Sequence, residues 1–255
     1  MKITVLGCAT STGVPIVGCG CDVCTSDNPK NKRSRSSVLV QAAKKNIIID
    51  TSTDLRIQAL TNNFTKIDAV LYTHSHADHT HGIDDLRVFN FINKTEISCF
   101  SNEQTIKNLR NNFSYIFNND PTTGGKPRLS FKPVRGEFRF EGIKIVPVDI
   151  FHAGWVILGY KIGSFAYLTD CSGIPDYSIE ILKNLDLLII GALRYTPHPA
   201  HFNVDQAVQV VESLSPKRAI FTHMGHEIEY EKLNGELPDY IEPAFDGLKI
   251  ELSDP

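Results

Sequence analysis

Short runs of apolar and β-branched residues recur along the chain, and each is bounded by polar residues, Gly or Pro. Their length and their content of Val and Ile are typical of buried β-strands, because branched side chains favour an extended backbone. The runs lie at residues 2–6, 37–41, 46–49, 69–73, 144–151, 165–169, 187–190 and 219–222. The pattern predicts a strand at each of these places.

A helical pattern lies between the last two runs. Its apolar residues recur at the spacing that places side chains on one face of a helix; they are Val204, Ala207, Val208, Val211 and Leu214. Asn203 is a predicted N-cap, Gln206 completes a capping box, and Pro216 ends the helix. Strands mixed with helices, and no linker or repeat dividing residues 1–255, predict one domain of the α/β (α+β) class.

Residues 108–132 interrupt this alternation. The segment is rich in Asn, Gly and Pro but contains Phe113, Tyr115, Phe117 and Phe131. Long irregular segments in compact domains are usually functional lids or disordered. The aromatic residues favour a lid, so the sequence predicts a long loop here that covers a site.

Composition narrows the function classes. The 255 residues are 42% hydrophobic and 22% charged, with a net charge of −3. These values exclude a disordered or coiled-coil chain, and the charge makes nucleic acid an unexpected partner. No apolar run approaches the roughly 20 residues of a membrane helix, and the first run is too short for a secretory signal. We therefore expect no membrane association and a cytoplasmic location.

Metal-capable side chains crowd the end of the strand predicted at 69–73. His74, His76, Asp78 and His79 follow it within six residues. Imidazole and carboxylate groups bind divalent first-row metals, and four of them on one segment exceed what one tetrahedral ion takes from a single turn. The spacing predicts two ions.

Other predicted strands also end at residues of ligand type. His152, Asp170 and His223 each follow one of the runs directly. Because the ends of strands with a common direction meet at one edge of a fold, these side chains are expected to join the first four.

The order His-x-His-x-Asp-His, then His152, Asp170 and His223, resembles the metallo-β-lactamase superfamily over essentially the whole chain. The resemblance implies a four-layer αββα sandwich with a dinuclear metal site between two sheets. It assigns one trio of ligands to each ion and one bridging carboxylate, namely His74, His76 and His152; Asp78, His79 and His223; and Asp170.

Two aspartates have further implied roles. Asp78 is a candidate catalytic residue as well as a ligand, and Asp50, which ends the strand at 46–49, resembles the family carboxylate that holds a ligand from behind. A helix cap at a strand-to-helix turn explains Asp50 equally well.

A second cluster of ligands lies near the start of the chain. Cys19, Cys21 and Cys24 are closely spaced, and His226 follows His223 by three residues. Three thiolates and one imidazole complete the tetrahedral shell of a structural zinc. The sequence therefore predicts a zinc-clipped loop at about 18–26, with reduced or redox-active cysteines as the alternative.

These cysteines, taken with His226, resemble the cyclic phosphodiesterases of bacterial phosphonate breakdown, which open phosphoribosyl cyclic phosphate. The resemblance implies that His201 is catalytic, with His198 as a competitor for that role and an exposed loop residue as the alternative. His201 precedes the predicted helix, whose N-terminus favours anions such as phosphate.

The leading hypothesis is an enzyme, a metal-dependent hydrolase of a small cyclic phosphodiester. A hydroxide bridging two Zn, Mn or Fe ions would attack the phosphorus, and charged His201 would assist the leaving oxygen. Alternatives are an RNA-processing nuclease, a thioester hydrolase, and a non-catalytic metal or ligand carrier. The expected partners are a small phosphorylated substrate and, from the resemblance, a second copy in a homodimer. Basic residues at 30–35 either hold the anionic substrate or form a solvated face.

Overall fold

Two mixed seven-stranded sheets face each other, with helices on their outer sides. The computed structural model describes residues 1–118 and 125–254. The first sheet has the order β14-β1-β2-β3-β4-β5-β6. In chain order these strands are β1 (Lys2–Gly7), β2 (Ser37–Ala42), β3 (Lys45–Ile49), β4 (Ala69–Leu71), β5 (Ile97–Ser101), β6 (Leu129–Pro133) and β14 (Lys249–Glu251).

The second sheet has the order β13-β12-β11-β10-β9-β8-β7. Its strands are β7 (Phe138–Phe140), β8 (Ile143–His152), β9 (Trp155–Ile162), β10 (Phe165–Leu168), β11 (Leu187–Gly191), β12 (Arg218–Thr222) and β13 (Ile241–Pro243). The helices are α1 (Asp22–Thr25), α2 (Leu55–Asn62), α3 (Ala77–Thr80), α4 (Leu86–Asn93), α5 (Glu103–Asn112), α6 (Ser114–Phe117), α7 (Asp176–Ile181), α8 (Val204–Leu214) and α9 (Tyr230–Glu236). This is the single-domain αββα sandwich that the resemblance implied.

The apolar runs are continuous because the sheets are covered on both faces. Side chains of successive strand residues point to opposite faces, so Ile47 and Ile49 join the core between the sheets while Ile48 packs with Leu55 of α2 and Leu86 of α4. Every run that the sequence marked as a strand is a strand in the structure.

Helix α8 begins and ends as predicted. The side chain of Asn203 accepts a hydrogen bond from the backbone N–H of Gln206, and the Gln206 side chain accepts one from the Asn203 N–H. Ser215 ends the helix in the left-handed conformation. The capping box places the start of α8 directly after the loop that contains His201.

The prediction of a long loop over residues 108–132 is wrong. Helix α5 continues to Asn112, α6 follows, and β6 begins at Leu129; residues 119–124 lie outside the described part of the chain. Buried Leu109 and Ile116 pack against the first sheet, and this packing stabilises helix in a stretch of weak helix formers. Strand β6 pairs with β5 and forms the edge of its sheet, where Pro133 is tolerated.

Strand β9 also went unrecognised in the sequence. It pairs with β8 along its whole length, from Ile145 opposite Ile162 to His152 opposite Trp155. Gly159 weakens the strand pattern, but a Cβ atom there would lie 2.8 Å from the carbonyl oxygen of Tyr167. In the described residues, none of the helices combines the length and the apolar character needed to cross a bilayer.

Candidate active site

Five strand ends meet at one edge of the sandwich; four of them carry the predicted ligands, and the fifth, that of β3, carries Asp50. Three of the residues that follow a strand have a left-handed backbone, with φ of 63° at Asp50, 52° at Asp170 and 57° at His223. For a side chain other than Gly this conformation costs about 1–2 kcal/mol. Such strain persists where the surroundings enforce it, and it is concentrated at functional sites.

The structure brings all seven residues together in two groups. In group A the ligand atoms of four side chains lie within 4.8 Å of one another, and in group B the same holds for three further side chains together with one that the groups share. Group A is His74, His76, His152 and Asp170, and group B is Asp78, His79, Asp170 and His223. These are the two sets that the resemblance assigned.

Asp170 belongs to both groups because its two oxygens point in different directions. Oδ2 lies 3.8 Å from Nε2 of His74, in group A. Oδ1 lies 3.2 Å from Nε2 of His79 and 3.1 Å from Nδ1 of His223, in group B. The carboxylate can therefore bridge two cations.

The surroundings of His79 show that a cation fits group B. Its Nδ1 donates to Oδ2 of Asp50 at 2.7 Å, which leaves a lone pair on Nε2. Nε2 is buried, makes no hydrogen bond within the described residues, and faces oxygens of Asp78 at 3.1 Å and Asp170 at 3.2 Å. Two carboxylates this close to a buried Nε2 require a positive charge, either a proton on the ring, whose pKa they raise well above its usual value, or a cation bound among the three side chains.

Group A has lone pairs in the same kind of arrangement. Nδ1 of His152 donates to the carbonyl oxygen of Ala200 at 2.9 Å, so its Nε2 is free to bind. Nδ1 of His74 contacts Oγ1 of Thr73 at 2.9 Å, and its Nε2 lies 3.0 Å from Nδ1 of His76. Hydrogen bonds behind metal-binding histidines fix the tautomer in this way.

The pKa values of three of the histidines agree with ligand roles, whereas Asp170 and two other carboxylates outweigh burial and raise the pKa of His79 well above its usual value. Burial lowers the pKa of His74, His76 and His223, so these imidazoles are neutral, as metal ligands must be. Burial opposes ionisation of Asp170, but the neighbouring His223 and His79 outweigh it and hold its pKa well below the usual value.

Asp50 supports a ligand and caps no helix. It is fully buried and accepts hydrogen bonds from the backbone N–H and the hydroxyl of Thr73, both at 2.8 Å, as well as from His79. The N-cap of α2 is Asp54. Asp50 therefore fixes the ligand segment at two places, at Thr73 before its first ligand and at the ring of His79.

His201 lies against both groups, and His198 lies one ring farther away. The His201 ring is 4.8 Å from that of His152 and 5.0 Å from that of His223, and its Nδ1 is 4.0 Å from Oδ2 of Asp170. The ring of His198 contacts His201 at 5.0 Å. Burial, and after it the proximity of His223, lowers the pKa of His201 to about 3. The imidazole is neutral here, whereas the sequence analysis expected the charged form.

Cys19, Cys21, Cys24 and His226 form a separate cluster, the cysteine cluster. The three sulfur atoms lie 3.3, 3.4 and 3.7 Å from Nδ1 of His226. Tetrahedral zinc, with bonds of about 2.3 Å to sulfur and about 2.0 Å to nitrogen, separates such atoms by about 3.5 Å. The cysteines are free thiols, and the backbone N–H of Cys24 lowers the pKa of Cys21 to about 6. The donor set fits a structural zinc.

Replacing Cys21 by Ser is expected to lower the zinc content and the melting temperature. The cluster joins the loop before α1 to the segment after His223, and a covalent clip over so long a loop stabilises a fold by about 2–4 kcal/mol. For a chain of this size that corresponds to a melting temperature lower by roughly 5–15 °C. Zinc per chain by mass spectrometry and thermal unfolding by circular dichroism measure both effects.

The control is Asp22→Asn at the start of α1, because Asp22 is next to Cys21, is exposed and lies outside the cluster. This variant should keep the zinc and the melting temperature. Unchanged zinc content and stability in Cys21→Ser would contradict a structural zinc at this place.

The basic residues after the cysteine loop are engaged elsewhere. Nζ of Lys32 donates to the carbonyl oxygen of Cys24, and Arg33 donates to carbonyl oxygens of residues 225 and 228. Arg35 pairs with Asp54 at 3.0 Å, and Lys30 pairs with a glutamate of α9 at 3.5 Å. They hold the cysteine loop and its neighbours in place.

Two residues at the site were missed in the sequence. Thr10 follows β1, and its Oγ1 lies 3.1 Å from Nε2 of His223. Trp155 begins β9, and its ring lies 5.3 Å from that of His76. Thr10 could have been found as one more polar residue after a buried strand, whereas only the β8–β9 pairing places Trp155.

Comparisons with known proteins agree with this geometry. The family model described as a β-lactamase superfamily domain matches residues 45–224. A crystal structure of a diphosphatase of the PhnP family is 42% identical, with a TM-score of 0.93 over 99% of this chain and 98% of that one. Zn²⁺-bound PqqB from Methylobacterium extorquens, at 18% identity and a TM-score of 0.81 over 99% and 100% of the two chains, shares the fold.

A curated relative from Porphyromonas gingivalis, named octanoyltransferase, is 37% identical over 254 residues, which are 98% of this chain and 51% of that protein. The chain spans about half the length of the curated relatives it matches. The family match extends over most of the chain and includes the ligands from His74 to His223. The chain belongs to the metallo-β-lactamase superfamily.

Proposed function

We propose that the protein hydrolyses a small phosphodiester, a cyclic one such as phosphoribosyl cyclic phosphate or a cyclic nucleotide. The observation that carries this proposal is the pair of groups joined by Asp170, with His201 4.0 Å from the shared carboxylate. The 42% identity to a PhnP-family diphosphatase over almost the whole chain supports phosphate chemistry.

The residues of the site have three different roles in the proposed reaction. Groups A and B would hold two divalent ions, which when bound supply an activated water and neutralise charge on phosphoryl oxygens. Asp50 and Thr73 keep His79 and His74 in the tautomers that bind a cation. Neutral His201 carries one N–H, which can donate a hydrogen bond to a phosphoryl oxygen or to the leaving oxygen.

A panel of substrates tests the proposal together with metal analysis. Purified protein is assayed on adenosine 2′,3′-cyclic phosphate, glycerol 1,2-cyclic phosphate, a diphosphate ester, a structured precursor RNA and an acyl thioester. We expect two ions per chain beyond the cysteine cluster, and ring opening of the cyclic diesters to phosphomonoesters that stops when a chelator removes the ions. Activity on the RNA and on no other substrate, with a rate that falls steeply as salt is added, would instead indicate a nuclease.

Thioester hydrolysis is the second candidate, because one relative is named for an acyl-transfer activity. A higher kcat/KM on the thioester than on any phosphate ester would favour it. Full metal occupancy without turnover of any ester would indicate a carrier. A homodimer stays a prediction, which sedimentation equilibrium would test.

A further inference from the structure

A cavity of about 370 Å³ opens beside group A. It lies between the first half of α5 and the start of β9, and we call it the side pocket. One wall contains His74, a member of group A, so the pocket and the metal groups are adjacent. Its volume is within the range of about 300–1,000 Å³ that is typical of small-molecule sites.

The apolar wall of the side pocket is dominated by Trp155. This side chain is 54% exposed and contacts the ring of His76 at 5.3 Å, at an interplanar angle of 43°. Val156, the next residue of β9, also lines the pocket and is 50% exposed. An open indole surface beside a candidate phosphate site is suited to stacking on a flat ring, and stacking of a base on an aromatic side chain contributes about 1–3 kcal/mol.

The opposite wall is polar and uncharged. It carries the amides of Asn102, Gln104 and Asn108. Nδ2 of Asn108 donates to Oγ of Ser75 at 2.9 Å, and its Oδ1 accepts from Gln104 at 2.9 Å, so the amide plane is fixed. Amides of Asn and Gln pair well with the edges of nucleobases, which offer both donors and acceptors.

The charge of the pocket lining restricts the classes of ligand that fit. Among the described residues, the lining of the pocket contains no Lys, Arg, Asp or Glu, and its one imidazole, His74, belongs to group A. A second phosphate or a carboxylate would therefore find no countercharge here. A neutral, planar ring with hydrogen-bonding edges matches both walls.

We propose that the side pocket binds the base of a nucleotide substrate, with Trp155 stacked on the ring and Asn108 bonded to its edge. The proposal rests on the proposed function, because it names the group that the phosphodiester carries. The side pocket would select nucleotides as substrates, whereas the ions held by groups A and B would contact only the phosphate.

Trp155 is the one tryptophan of the sequence, so its fluorescence reports on the pocket alone. Metal-loaded protein is titrated with adenosine 5′-monophosphate and, separately, with ribose 5-phosphate. The nucleotide should quench the emission in a saturable way, and the sugar phosphate should not, because it lacks the ring. Equal quenching by both compounds, or no saturable quenching by the nucleotide, would overturn the proposal.

Asn108→Leu tests the polar wall by the same titration. Loss of one hydrogen bond, worth about 0.5–1.5 kcal/mol, should raise the Kd for the nucleotide by about 2- to 12-fold. Asn112→Leu, on the same helix but outside the pocket lining, is the control and should leave the Kd unchanged. An unchanged Kd in Asn108→Leu would remove that residue from the site.

Kinetics on two cyclic phosphates separate base binding from support of His76. Trp155→Ala should lower kcat/KM for adenosine 2′,3′-cyclic phosphate by about 5- to 150-fold. Glycerol 1,2-cyclic phosphate, which has no base, should change by less than about twofold under the same stacking argument. Tyr177→Ala, an exposed aromatic outside the lining, is the control and should change neither. An equal fall for both substrates would mean that Trp155 acts through His76, against the proposal.

The two readouts also separate this inference from the proposed function. Saturable quenching by the nucleotide without hydrolysis of any phosphodiester would support the pocket and refute the phosphodiesterase. Hydrolysis of cyclic phosphates without saturable quenching would do the reverse.

Discussion

Asp170→Asn is expected to abolish hydrolysis and to release the ions of both groups. One oxygen of Asp170 faces His74 of group A, and the other faces His79 and His223 of group B. Removing a residue that only orients a ligand already costs about 10- to 100-fold in metal affinity or activity. Loss of the shared carboxylate should therefore lower kcat/KM by more than about 10³-fold, measured on a cyclic phosphodiester with metal content by mass spectrometry.

The variant should still fold. Asn tolerates the left-handed conformation found at Asp170, and the substitution removes a buried charge. Asp205→Asn, an exposed carboxylate in the first turn of α8, is the control and should keep ions and activity. If Asp170→Asn retained two ions and full turnover, the two groups would not form one dinuclear centre.

His201→Ala is expected to keep the bound ions while turnover falls by about 10²- to 10⁴-fold, the range for loss of a general acid–base group. Its ring lies against His152 and His223 but belongs to neither group. Because the residue contacts the site without completing a ligand set, metal content and kcat should separate. Metal analysis and single-turnover rates measure the two quantities.

His198→Ala distinguishes the competing histidine. His198 contacts His201 but lies farther from the metal groups, so this variant should lose much less activity than His201→Ala. Equal turnover in His201→Ala and the unchanged protein would exclude His201 from the chemistry, and a larger loss in His198→Ala would transfer the role to that residue.

The sequence was sufficient wherever a local pattern and its surroundings agree. Helix α8 has an amphipathic face and a complete capping box, so its limits were predictable to the residue. The run at 46–49 is buried on both faces of its strand and was unmistakable. At 108–132 the local pattern is weak, and packing of Leu109 and Ile116 decides the helices there.

The candidate site shows the same division. The candidate ligands could be recognised in the sequence because they follow predicted strands. The family pattern then assigned them to two sets. The orphaned Nε2 of His79 and the contact of Trp155 with His76 had no signal in the sequence, whereas for Asp50 the structure decided between the two expected roles, support of a ligand and a helix cap.

By itself, the amino-acid sequence determined the type of those elements that have a strong local pattern, the chemistry of the ligands and the separation of the cysteine cluster from the site. Only the tertiary structure decided which oxygen of Asp170 faces which group and that His201, rather than His198, lies against the two groups. It also decided that a side pocket opens beside His74. The reason is physical. Hydrophobic periodicity and capping act over a few residues, whereas these distances join segments far apart in the chain and depend on how two sheets pack against each other.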